Sequence, residues 1–300
     1  MMYTTEDAKQ FKKELKTLIH AERIHPRVMN VALKAVYGEI HNGTQTVSKS
    51  ATGTFSDNSG NNQKKKTRKY HMSHSPYEKN ELETMFLHLS PERLPNWKPY
   101  KLFIPALALY NGLRMSEACQ LQFENVVQLD GIPCIRVEDN KEIGATVKNL
   151  SCIRAVPIHP LILQLGFLKF VGKIKNGPLW PELTPDKPRK GYSSRFVKFF
   201  SFFNREFVAK GSTKSFYSLR LNFVNAIRDN APEAIACQLI GMSPKTVTLG
   251  RYGLLEQPEL MLEYLRKLDY GFDIFAQTGI EQQSECEIAE QVERFFERQF

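Results

Sequence analysis

No histidine follows His159 in this chain of 300 residues; all seven lie at or before that position. The chain beyond that residue therefore has no imidazole to act as a base near neutral pH. Cysteine is scarce and scattered, with five residues (Cys119, Cys134, Cys152, Cys237, Cys286) and no Cys-x-x-Cys pair. An odd, dispersed set argues against a disulfide framework or a zinc site and predicts reduced thiols in a cytoplasmic protein. No apolar run approaches the ~18 residues needed to span a bilayer; the stretch from Leu102 to Tyr110 is the longest candidate and is far too short. Charges crowd the N-terminus (Glu6, Asp7, Lys9, Lys12, Lys13, Glu14), which excludes a secretory signal. Neither a metal, nor another cofactor, nor a membrane partner is expected.

What is present is positive charge. A formal charge of +9 and a pI near 9.2 favour a polyanionic partner. The length suits one or two domains with a sizeable core. Residues 1–40 read as a short helical region, with apolar positions at Phe11, Leu15, Leu18 and Ile19, then Val28, Val31, Leu33 and Val36, divided at Pro26. Residues 41–72 turn to Gly, Ser, Thr, Asn and Lys, with Phe55 almost alone as a large apolar residue, which predicts a flexible linker. Its end carries Lys64, Lys65, Lys66, Arg68 and Lys69. That run is either a solvated tether or a strap that neutralises DNA phosphates.

Residues 73–300 read as the principal domain. Ser75-Pro76-Tyr77-Glu78 predicts a helix start with Ser75 as cap and Pro76 in the first helical position. Helical patterns follow at 98–110, 115–122, 160–171, 193–209, 219–228, 233–240 and 258–268, and short β-branched runs at 132–137, 144–148 and 154–158. The expected class is mainly α with a small antiparallel β-sheet (α+β). The acidic stretch 281–300 places Ile288, Val292, Phe295, Phe296 and Phe300 near one helical face. Such a helix either folds onto its own core or docks on a neighbour.

Two arginines and a tyrosine stand in suggestive surroundings. Leu109-Tyr110-Asn111-Gly112-Leu113-Arg114-Met115-Ser116-Glu117 sets Arg114 just past an Asn-Gly turn. Tyr217-Ser218-Leu219-Arg220 supplies the second arginine. Leu239-Ile240-Gly241-Met242 then precedes Thr248-Leu249-Gly250-Arg251-Tyr252-Gly253. Guanidiniums offer planar forks of donors to phosphate oxygens, and the Tyr252 phenol is a candidate covalent nucleophile, with Tyr264 and Tyr270 as nearby competitors. Glu117 either orients Arg114 or is simply a favourable acid in a helix's first turn.

These segments resemble the boxes of the tyrosine recombinases, the phage-integrase family. The first family box, Gly-x-Arg-x-x-Glu, is matched by Gly112, Arg114 and Glu117. The resemblance covers most of the chain after about Ser75, including the run from Cys152 to Pro160, which looks like the third strand of the family's sheet. It implies the tyrosine-recombinase catalytic domain fold and a site-specific integrase, prophage in type, that breaks and rejoins double-stranded DNA through a 3′-phosphotyrosine on Tyr252. Arg114 and Arg220 would hold the non-bridging oxygens. Lys148 matches the lysine that protonates the departing 5′-oxygen, with Lys141 a weaker competitor; alternatively Lys148 binds phosphate as a plain charge. A homo-tetramer on DNA, a C-terminal helix docked on the next protomer and a place on the bacterial nucleoid are further implications.

Three departures cut against full activity. The family's second box reads His-x-Leu-Arg-His, and here its histidines are Tyr217 and Leu221. The histidine that follows Leu-Gly in the family is Met242. A phenol donates one hydrogen bond but is a poor proton acceptor near pH 7, and a thioether donates nothing. Residues 1–40 are also shorter than the four-helix core-binding domain that helps family members clamp DNA. Two readings stay open: an attenuated recombinase, or a non-catalytic DNA-binding relative that occupies or regulates recombination sites.

Overall fold

The structure, a computed structural model, describes residues 75–139, 152–184, 191–242 and 257–297. The chain divides into two units, Met1–Lys69 and Tyr70–Phe300, and every described residue belongs to the second. The helical region expected at 1–40, the basic run from Lys64 to Lys69, the strand expected at 144–148, Lys141, Lys148 and Tyr252 all lie outside the described residues.

The domain is mostly helical with one three-stranded antiparallel sheet. Helix α1 (Lys79–His88) begins at Glu78 rather than Ser75. The Glu81 carboxylate accepts the Glu78 backbone N–H at 2.7 Å, so an acid in the helix's first turn reaches back to hold the cap residue's own donor. Helix α2 (Pro99–Tyr110) is buried from Lys101 to Tyr110, as a helix apolar on every side must be. Next comes α3 (Met115–Cys119), which is shorter than the expected 115–122 because the chain turns into a 3₁₀ segment at Phe123–Asn125.

Strands β1 (Val126–Leu129), β2 (Ile132–Val137) and β3 (Arg154–Pro157) pair in sequence order. Strand β1 was not expected. Its signal is Asp130-Gly131, both with positive φ (48° and 78°), the two-residue hairpin turn whose twist matches its flanking strands. The predicted helix at 160–171 is two, α4 (Pro160–Gln164) and α5 (Phe167–Val171), separated by Gly166 at φ 84°. Helix α6 (Ser193–Phe203) runs into a π-helical turn, Asn204–Val208. Helices α7 (Phe216–Asn230), α8 (Glu233–Ile240), α9 (Pro258–Leu265), α10 (Ile274–Thr278) and α11 (Glu285–Glu297) complete the order.

Two apolar clusters carry the packing. The larger surrounds α2 and includes Phe167, Trp180, Phe196 and Phe203. The smaller joins β3 to α7, α8 and α9 through Val156, Phe223, Ile227, Leu239 and Leu265. Phe295 and Phe296 of α11 are buried in the larger cluster, so this helix folds onto its own chain. Among the described residues no helix is long and apolar enough to cross a membrane.

Candidate functional site

Three consecutive carbonyls at the C-terminal end of α8 receive three arginines. Leu239 O accepts from Arg154 Nε at 3.1 Å, Ile240 O from Arg220 Nη2, and Gly241 O from Arg114 Nη2 at 3.0 Å. A helix ends with carbonyls that have no partner inside it, and its dipole makes that end negative. The Leu239-Ile240-Gly241 segment therefore acts as a collector for guanidiniums. Gly241 permits this by closing the helix in the left-handed conformation (φ 67°, ψ 54°). The Met242 N–H bonds back to Cys237 O at 3.0 Å, which turns the chain sharply and leaves the three carbonyls facing the arginines.

Each arginine arrives from a different element. Arg114 caps α3 with extended backbone (φ −70°, ψ 152°). Glu117 holds it twice, accepting the Arg114 backbone N–H at 2.8 Å and Arg114 Nη1 at 2.6 Å. The two alternatives for Glu117 are thus both realised: it orients the guanidinium and occupies the helix's first turn. Arg220, on α7, is buried and also donates from Nη1 to Gly112 O, two residues before Arg114. Arg154 opens β3. Its Nη1 and Nη2 reach Glu117 at 3.3 and 3.0 Å, and Nη1 also reaches Cys152 O at 2.9 Å.

Arg154 is the member of the cluster that the sequence does not signal. A single arginine opening a strand has no periodic signature, and its carboxylate partner stands 37 positions earlier. The nearest clue was its place in an otherwise apolar strand, since a cation there needs a buried acid.

The electrostatics follow from this packing. Burial alone would raise the Glu117 carboxyl, but the Arg154 ion pair, aided by Arg114, overcomes it and holds the group down at about 2. Arg220 is pushed down to about 9, by burial first and then by its neighbours Arg114 and Arg154; it stays charged at neutral pH. Three guanidiniums against one carboxylate leave an excess of two positive charges. Arg220 bonds only carbonyls among the described residues, and the Arg114 side chain is 25% exposed. A guanidinium has five donors, of which Glu117 and Gly241 engage two on Arg114. The arrangement is suited to receiving an anion with several acceptor oxygens.

The remaining predicted residues sort clearly. Tyr217 lies one turn before Arg220, is 53% exposed, and is close enough to influence that guanidinium electrostatically. Met242, 45% exposed, directly follows the collector. Of the competing tyrosines, Tyr270 is buried and donates to Leu109 O at 2.7 Å, and burial raises its phenol well above the ordinary value. Lys267 Nζ sits 4.5 Å from the centre of the Tyr264 ring. Tyr270, with its hydroxyl engaged and buried, is not arranged as a nucleophile. The two described histidines lie elsewhere, His88 against Phe207 and His159 against Tyr110. No group of metal-binding side chains occurs among the described residues. Compared with known proteins, the chain matches no family model and no curated protein.

Proposed function

We propose that this protein acts on double-stranded DNA as a tyrosine-type recombinase of reduced activity, with Tyr252 as nucleophile. One observation carries the reading: Arg114 and Arg220, far apart in sequence, donate to adjacent carbonyls at Gly241 and Ile240. In this reading the Tyr252 phenol gives its proton to solvent as its oxygen attacks the scissile phosphorus, an O–P bond forms, and the bond to the 5′-oxygen breaks. Lys148 gives the departing oxygen its proton. Arg114 and Arg220 stabilise charge on the non-bridging oxygens; losing one such donor costs about 10²–10³ in rate. The 5′-hydroxyl of another strand reverses the step, so neither metal nor water is consumed. Lys148 stands four positions before Cys152, whose carbonyl bonds Arg154 and whose Sγ lies 3.8 Å from Gly241 O. A homo-tetramer on DNA belongs to the same proposal.

A second reading has its own support. Met242 and Tyr217 are exposed beside the cluster, and neither side chain is an imidazole that could relay a proton. A non-catalytic relative that binds DNA and occupies or regulates recombination sites is consistent with that surface.

Trapping on a suicide substrate separates the two. Wild-type and Tyr252→Phe proteins are incubated with nicked duplex carrying the element's own junction, and binding is measured on the same DNA. A covalent adduct lost in Tyr252→Phe supports the recombinase. Binding without an adduct favours the regulator, and an adduct that survives the substitution removes Tyr252 as nucleophile.

A further inference from the structure

A cleft of about 490 Å³ opens between α5, the turn that follows it, and α11. Its apolar floor is Phe123, Leu168, Ile174 and Phe295. Four cations line it: Lys169, Lys173 and Lys175 from one side and Arg294 from α11. No carboxylate is among the lining residues. Two acids of α11 stand near the rim: Glu290 pairs with Arg294 at 2.8 Å, and Glu287 lies within electrostatic reach of Lys169. Lys173 and Lys175 have no ion-pair partner among the described residues. The cleft therefore keeps a net positive rim above a hydrophobic base.

A volume in the range of roughly 300–1,000 Å³, mostly apolar with a few placed charges, is that of a small-molecule site. Neither half of the lining explains itself alone. A simple anion would leave the phenylalanine and isoleucine surface wet, and a neutral apolar molecule would leave the lysines without a counter-charge. Duplex DNA offers phosphates but no apolar body to fill the floor. We propose that the cleft binds a free amphiphilic anion, a compact apolar body ending in one carboxylate, sulfate or phosphate, and that occupancy pins α11 to α5. The pinning follows from the construction, because Arg294 and Phe295 belong to α11 while Leu168 and Lys169 belong to α5.

Octanoate below its micellar concentration is the probe, titrated calorimetrically into the full chain at low ionic strength. Octan-1-ol and acetate are controls that carry only the apolar body or only the charge. The expected result is one site for octanoate, with both controls at least about tenfold weaker. Lys173→Glu with Lys175→Glu should weaken octanoate about tenfold or more, whereas Lys198→Glu, on the exposed face of α6, should not. These are surface changes, and circular dichroism checks that the variants fold. Hydrogen exchange in α11 should slow on adding octanoate to wild type and remain unchanged in the double variant. Equal affinity for acetate or octan-1-ol, undiminished binding by the double variant, association only with phosphatidylglycerol vesicles, or displacement of octanoate by duplex DNA would each overturn the proposal.

Discussion

Two glycines of the recombinase-like boxes are fixed by contacts that the sequence does not display. A Cβ on Gly112 would stand 2.2 Å from Cε1 of Phe223, and the residue has φ 63°. A Cβ on Gly241 would stand 2.7 Å from Arg154 Nη1, at φ 67°. Gly112→Ala therefore combines left-handed strain with overpacking against a buried ring, and should cost about 3 kcal/mol, read as a lowered urea midpoint with an unchanged slope. Glu117 presents a different case, because among the described residues it is the only acid joining two of the arginines. In Glu117→Gln the buried Arg154 loses its counter-charge, and removing one partner of a buried pair costs about 3–5 kcal/mol. Arg154→Met is the informative companion, since replacing the cation as well as the anion relieves that penalty. The double variant should be more stable than Glu117→Gln alone. A double variant no more stable than Glu117→Gln would mean that Arg154 does not depend on this carboxylate.

At the scale of elements, what could be read from the sequence divides by how local the cause is. Helix α8 matches its predicted bounds, because its apolar period and closing glycine are written within a few residues. Strand β2 matches for the same reason. The break inside 160–171 falls at Gly166, a local signal masked by the apolar residues on both sides of it, and 115–122 ends early at Cys119, before Gln120-Leu121-Gln122. The convergence of Arg114, Arg154 and Arg220 was only half visible: the two box arginines by resemblance, Arg154 not at all, because carbonyls carry no side-chain signature. Helix α11 was seen as amphipathic, but its sequence could not say whose core it covers. In the structure Phe295 and Phe296 enter the chain's own cluster, while most of the helix from Glu285 to Glu290 is exposed. An element held by so few contacts opens more easily than a buried one. Hydrogen exchange should therefore be faster in α11 than in α2. Phe295→Ala with Phe296→Ala should remove the remaining protection of α11 and leave that of α2 intact. Equal loss in both helices would show that α11 is part of the global folding unit.

For the molecule as a whole, two buried titrating groups among the described residues shape the response to acid. His159 is pushed down to about 4 by burial, which the Leu265 backbone offsets only in part. It is neutral at pH 7 in both folded and unfolded chains. Between about pH 6.5 and 4 the unfolded chain takes a proton that the folded one refuses, so stability falls as pH drops through that window and this loss levels off below about 4. A shift of this size is worth about 3 kcal/mol. Glu117 acts lower. Its carboxylate, held at about 2 by Arg154 and Arg114 against the cost of burial, contributes stability that is fully present above about 4.5 and is lost as pH falls toward 2. The two windows meet, so the chain should lose stability continuously from slightly acid pH downward, by an amount comparable to the ~5–15 kcal/mol that a domain of this kind possesses. Substitution separates the limbs. His159→Asn keeps an acceptor for the Leu161 N–H that His159 Nδ1 now receives at 3.1 Å, and Asn is a good helix cap. Its urea midpoint should be nearly flat from pH 6.5 to 5, where wild type declines, while both proteins fall together below pH 4.5. A parallel decline in the two proteins through the upper window would assign that limb to groups other than His159.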